Sequence, residues 1–157
     1  MRSKADAAPK PAAEVRRHTA HDESDAGTGV ERRVLVIAPH ADDAARTIEI
    51  LDAAGLESVR CDAASALERE LRLGCGVVIA TQEAVTPEVR AILERHTADE
   101  QLWSDLPILI LTQAGEVSDV EETALVSLGN VTLFQRPLRP ATVVSAVRSA
   151  LRGRERQ

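Results

Sequence analysis

The residues able to do chemistry in this 157-residue chain stand in small groups, each just after a run of apolar residues. His40, Asp42 and Asp43 follow Val34-Leu35-Val36-Ile37, Thr81 and Glu83 follow Val77-Val78-Ile79, Thr112 follows Ile108-Leu109-Ile110-Leu111, and Arg136 follows the run Val131 to Phe134. The two aspartates offer hard oxygen ligands to a divalent ion. They equally suit the first turn of a helix, where a carboxylate caps free N–H groups and complements the dipole. Capping is the reading their position favours. Glu83 reads as a solvated loop acid, and Thr81 as a hydroxyl with no neighbouring base to activate it. Thr112 reads as a strand-end hydroxyl satisfying nearby backbone. Cys61 and Cys75 lie in apolar surroundings and form no Cys-x-x-Cys pair, so they read as reduced, buried and inert. His18, His21 and His96 have no ligand spacing between them.

The apolar runs that precede these groups predict the elements that position them. Four-residue β-branched runs suit strands buried on both faces. Strands are expected at 34–37, 57–61, 76–80, 108–111 and 131–134. Between them, Ala45, Ile48 and Leu51 recur at helical spacing before Gly55, a left-handed stop. Asp62 and Ser65 compete to cap a helix carrying Leu67 and Leu71 and ended by Gly74. Thr86-Pro87 opens a helix with Val89, Ile92 and Leu93. Ser118-x-x-Glu121 is a capping box for a helix carrying Val120, Ala124, Leu125 and Leu128, closed by Gly129-Asn130. Pro140 opens a last helix with Val143, Val144, Val147 and Leu151 on one face. Five strands alternating with five helices predict an α/β chain, a flavodoxin-like (βα)5 three-layer sandwich around a five-stranded parallel sheet of order 2-1-3-4-5.

Residues 1–31 lack sustained periodicity and read as a disordered tail, 32–152 as the domain, and 153–157 as a C-terminal tail. The net charge of −6, with both signs interspersed and no basic stripe, argues against nucleic acid as a partner. No apolar run approaches the roughly 20 residues that span a bilayer, and the N-terminus lacks a signal-peptide apolar core. A cytoplasmic protein is expected. Aromatic rings are confined to Trp103 and Phe134, and Trp103 reads as a packing anchor for the loop before the fourth strand.

The pattern over about 32–152 resembles the receiver domain of two-component response regulators. Leu111-Thr112 is similar to that family's hydroxyl residue at the end of the fourth strand. Arg136-Pro137 is similar to its Lys-Pro, a junction that the resemblance implies is a cis peptide. A narrower resemblance joins Trp103-Ser104-Asp105-Leu106-Pro107, Leu128-Gly129-Asn130-Val131-Thr132-Leu133 and Arg136-Pro137-Leu138-Arg139-Pro140 to a receiver-like domain at the N-terminus of certain bacterial hybrid sensor histidine kinases. A stand-alone relative and a fragment of a longer kinase are both compatible with the sequence.

The family's phosphoryl chemistry requires an acceptor carboxylate after the third strand, an acidic pair after the first to hold Mg²⁺, and a lysine. At those positions the chain has Thr81 (or Ala80, one register earlier), Ala38-Pro39 followed by His40, and Arg136. The resemblance therefore implies a degenerate pocket of Ala38, Pro39, His40, Thr81, Thr112, Arg136 and Pro137, with no metal and no cofactor. His40, Thr81 and Arg136 are expected to leave a mildly basic cleft, free of acids, open to an anion. The family's aromatic switch position is Leu133, so a locked conformation is implied.

Val36-Ile37-Ala38-Pro39-His40-Ala41-Asp42-Asp43 also resembles the metal motif of zinc-dependent N-acetylglucosamine deacetylases. That resemblance would place a His and an Asp on zinc and a second Asp as general base. The acid that usually follows is Ala44, and the only later histidine is His96, on a predicted helix. The reading adopted is a non-catalytic signalling module that binds a histidine kinase or another two-component protein. A genuine phospho-accepting regulator is the other alternative. The resemblance places the interaction face on the fourth helix, fifth strand and fifth helix, with Val120, Ala124, Leu133, Val144 and Arg148, and implies homodimerisation there.

Overall fold

The computed structural model describes residues 29–98, 105–115 and 117–156. The expected tail over 1–28 and the Trp103 anchor lie outside the described residues. Five strands, β1 (Val34–Ile37), β2 (Ser58–Cys61), β3 (Val77–Thr81), β4 (Ile108–Gln113) and β5 (Val131–Arg136), alternate with α1 (Ala41–Ala53), α2 (Ala64–Leu73), α3 (Pro87–Ala98), α4 (Asp119–Val126) and α5 (Pro140–Glu155). A short 3-10 turn, Gln82–Ala84, links β3 to the loop before α3. The sheet is wholly parallel, in the order β2-β1-β3-β4-β5.

Strand side chains alternate between two cores. Leu35, Ile37, Val78, Ile108 and Ile110 pack beneath α2, α3 and α4 with Leu67, Leu71, Ile92, Leu93, Leu125 and Leu128. Val34, Val36, Val77, Ile79, Leu109 and Leu111 pack beneath α1 and α5 with Leu51, Val143, Val147 and Leu151. Both faces of β1, β3 and β4 are covered, which is why these strands carry unbroken apolar runs.

Local chemistry departs from expectation at several helix starts. His40 is the N-cap residue of α1 and makes no side-chain cap bond, while Asp42 and Asp43 lie inside the first turn. They act there on the helix dipole and do not cap. Neither Asp62 nor Ser65 caps α2; the N-cap position is Ala63, and Asp62 pairs with Arg60 instead. On α1 the buried positions are Ala44 and Leu51, with Ala45 exposed. Gly55 does take a left-handed φ of 74°, and the Ser118–Glu121 capping box forms with both reciprocal bonds.

The expected domain edges also shift. Gly29 and Val30 are helical, and their carbonyls accept from the Arg32 and Arg33 amides, so order begins before residue 32. At the other end α5 runs through Glu155, past the boundary expected at 152. Arg154 donates to the Cys75 carbonyl at 2.9 Å, fixing that last turn to the loop before β3.

Candidate functional site

A parallel sheet gathers the ends of all its strands, and the loops that follow them, along one edge. Here that edge carries Ala38 after β1, Thr81 at the end of β3, Thr112 and Gln113 at the end of β4, and Arg136 at the end of β5. Register brings Gln113 opposite Arg136 and Thr81 opposite Leu111. Ala38 is buried, whereas Pro39, His40 and Pro137 are exposed. The Arg136–Pro137 bond is cis, as the resemblance implied.

The centre of the site is an ion-pair network that the sequence reading missed. Arg136 Nη2 donates to Glu83 Oε1 at 2.7 Å, and Nη1 lies 3.8 Å from Asp43 Oδ2. Gln113 Nε2 reaches the same Glu83 oxygen at 3.4 Å. The expected acid-free basic cleft is therefore corrected: two carboxylates from different elements already neutralise the guanidinium. Glu83 is no idle loop acid. The 3-10 turn after β3 swings it back over the strand ends, a turn that short-range patterns did not signal. Partial burial opposes its ionisation, but its own backbone N–H, the Arg136 guanidinium and the Thr81 hydroxyl outweigh that and hold the carboxyl below its ordinary range.

The two threonines behave differently. Thr112 is 3% exposed and donates its hydroxyl to the Phe134 carbonyl at 3.3 Å, the backbone-satisfying role read from the sequence. Thr81 is 4% exposed, and its Oγ1 has no hydrogen-bond partner at ordinary range, although it sits near enough to Glu83 to favour the charged carboxylate. Leu133 packs toward the α2–α4 side, whereas Phe134 packs beneath α5 with Leu138 and Ala146. The position on the α4 side of β5 therefore carries an aliphatic side chain, and the ring beside it faces the opposite layer.

Among the described residues, no group of three or more His, Cys, Asp or Glu side chains is arranged to hold a metal ion. His40, Asp42 and Asp43 share one loop and helix start but, among the described residues, do not gather into such a group. His96 is on α3, partly buried. The two cysteines are free and buried; burial raises Cys61 to about 11 and Cys75 to about 12, far from nucleophilic thiolate.

No protein-family model matches the chain, and no curated protein matches it. Solved structures do. A response regulator receiver domain protein (CheY-like) from Methanospirillum hungatei superposes with a TM-score of 0.66 at 15% identity, over 80% of this chain and 97% of that one. The chemotaxis protein CheY4 of Vibrio cholerae gives 0.63 at 18% identity, over 76% and 98%. NtrX from Brucella abortus gives 0.63 at 15% identity over 78% of this chain but only 26% of its own, so this chain spans about a quarter of that protein.

The fold is the receiver fold. Within this receiver-like domain, α4 leaves Val120 79% exposed and Val126 48% exposed. Ala124 and Val144 are half-buried. Arg148 is exposed and donates to the Ala54 carbonyl at 3.0 Å, tying α5 to the end of α1. No described helix is long and apolar enough to cross a membrane.

Proposed function

We propose that this receiver-like domain is a non-catalytic signalling module that acts by binding a protein partner, with neither aspartyl phosphorylation nor dependence on Mg²⁺. The observation that carries the reading is Arg136 held between Glu83 and Asp43. A divalent ion needs several unengaged hard oxygens around one point. Here the carboxylates nearest the strand ends are spent on a guanidinium, and the end of β3 offers Thr81 where an acceptor carboxylate would be required.

The test is incubation of the full chain with acetyl phosphate and Mg²⁺, followed by intact mass. The mass is expected to stay unchanged. A stable gain of one phosphoryl group would overturn the reading. A zinc deacetylase draws no support from the placement of His40, Asp42 and Asp43.

The partner class that fits best is a histidine kinase or another two-component protein in the cytoplasm, docking on α4, β5 and α5. Exposed Val120 and Val126 beside the Asp119, Glu121 and Glu122 first turn supply apolar area with a charged rim. A second copy of the chain can use the same face, with the acids of α4 against Arg148 and Arg152 of α5. Sedimentation velocity is expected to show concentration-dependent association that Val120→Asp weakens; a strict monomer at high concentration removes the dimer from the proposal.

A further inference from the structure

We propose that the free edge of β5 docks an extended segment of a partner protein, which adds to the sheet as a sixth strand and sets alternate apolar side chains into the groove between β5 and α5. This rests on the partner-binding reading and names the shape of what is bound. β5 lies at one side of the sheet and pairs only with β4. The Ile108 amide donates to the Asn130 carbonyl at 2.9 Å, so the ladder turns the backbone of Asn130, Thr132 and Phe134 toward β4. The backbone of Val131, Leu133 and Gln135 therefore turns outward. The Val131 amide donates to the Gly129 carbonyl at 2.9 Å, but among the described residues the Leu133 and Gln135 amides reach no acceptor. An extended chain alongside would supply acceptors at that spacing.

Edge strands are ordinarily guarded by brevity, charge, proline or a bulge. β2, the other edge, is four residues long and carries Arg60, paired with Asp62. β5 is six residues long, pairs with β4 without a bulge, and bears no charge before Arg136 at its end. Beside it on the α5 side runs a groove of about 350 Å³, with Leu109, Thr132 and Phe134 of the sheet facing Ala146, Ala150 and Gly153 of α5. Gly153 points to an occupant. It lies inside α5 without a positive φ, and a Cβ there would meet nothing within 4 Å. Glycine weakens a helix interior relative to alanine, and neither backbone geometry nor packing within the chain requires it here. The space it leaves is open to a side chain from outside.

Charge selects the occupant. Two β5 edges paired antiparallel about a two-fold axis normal to the sheet would bring α4 beside α4 and α5 beside α5. That arrangement sets Asp119, Glu121 and Glu122 near their own copies, and Arg148 and Arg152 near theirs, which like-charge repulsion opposes. A short extended segment carries no flanking helices and meets neither conflict. Its alternate side chains on the α5 side are apolar, to match Leu109, Phe134 and Ala150.

The experiment adds a blocked peptide of alternating valine and threonine, flanked by lysines, to the full chain and follows amide hydrogen exchange residue by residue. In the free chain Leu133 and Gln135 should exchange at least about tenfold faster than Thr132 and Phe134. The peptide is expected to slow Leu133 and Gln135 saturably, and the same peptide with proline at each threonine to leave them unchanged. Thr132→Lys, which guards the edge, and Gly153→Leu, which fills the groove, should each weaken peptide binding at least about tenfold. Both replace exposed residues, and urea unfolding checks that each variant is folded; if Thr132→Lys is not, Gly153→Leu decides. Slow exchange of both outward amides in the free chain, no saturable slowing by the peptide, or binding that survives the folded variants overturns the inference. Loss of self-association in Thr132→Lys with no response to peptide also overturns it, and makes a second copy the occupant. The intact-mass and Val120→Asp measurements are independent of these outcomes, so the edge can fail while the partner-binding reading holds.

Discussion

At the scale of single residues, the contrast between Thr81 and Thr112 gives the sharpest prediction. Both are strand-end hydroxyls and both are buried, yet only Thr112 has a backbone acceptor, the Phe134 carbonyl. Thr112→Val leaves that carbonyl one partner short and should cost about 1 kcal/mol. Thr81→Val removes a hydroxyl that has no hydrogen-bond partner at ordinary range and only the smallest share in favouring the Glu83 carboxylate, and replaces it with a side chain of the same shape. Its effect should stay below about 0.5 kcal/mol, or be stabilising. Urea unfolding of the two variants checks the difference; an equal loss at both sites would show that Thr81 has a partner as good as that of Thr112. From sequence the two threonines could be placed at strand ends but not distinguished, because their difference lies in which neighbouring strand offers a carbonyl.

At the scale of elements, the helix starts carry the testable claims. The Ser118–Glu121 capping box satisfies two otherwise orphaned N–H groups at the head of an eight-residue helix. Ser118→Ala should destabilise the domain by about 1 kcal/mol and raise hydrogen exchange first in α4, measurable amide by amide. The packing of β3 against its neighbours is less tolerant. A Cβ on Gly76 would collide with the Glu31 carbonyl oxygen and with Leu151 Cδ2. The Gly76 amide also donates to the Arg33 carbonyl at 2.8 Å, leaving the backbone little room to retreat. Gly76→Ala is therefore expected to lose at least about 2 kcal/mol of unfolding free energy. From sequence Gly74 reads as a helix stop and Gly76 as the first residue of the third strand; only the approach of α5 and the segment before β1 makes Gly76 a steric necessity.

At the scale of the whole molecule, two charge clusters sit at opposite ends of the sheet. The Arg136 network lies at the C-terminal edge. At the other end Arg33, just before β1, donates to Glu70 Oε2 at 3.1 Å and to the Gly74 carbonyl at 2.7 Å, clasping the end of α2. The Arg33 and Glu70 side chains are only 13% and 11% exposed. Burial opposes the charge on Glu70, but hydrogen bonds from Arg69 and Arg33 prevail and lower its pKa from the ordinary 4.5. A carboxyl depressed in the folded state contributes stability that is complete above 4.5 and is lost as the pH falls through its lower folded value. The stability advantage of wild type over Glu70→Gln should accordingly shrink as the pH drops from about 6 to about 3. A gap that stays constant over that range would mean the pair contributes shape and not charge. Arg33→Met should cost about 2 kcal/mol near neutrality, since it removes a nearly buried charge-assisted bond and the donor to the Gly74 carbonyl while Arg69 still pairs with Glu70.

The order of strands and helices, the parallel sheet, the capping box and the positions of Thr81, Thr112 and Arg136 at strand ends were legible in the chain alone. Apolar periodicity, proline and glycine placement act within a few residues, and right-handed crossovers leave few ways to arrange five βα units. The meeting of Glu83, Arg136, Gln113 and Asp43 was not legible. Glu83 and Arg136 are 53 residues apart and touch only because three strand ends share one edge. Whether an arginine is an open anion site or a neutralised one depends on which distant carboxylate reaches it, and that is decided by the tertiary fold.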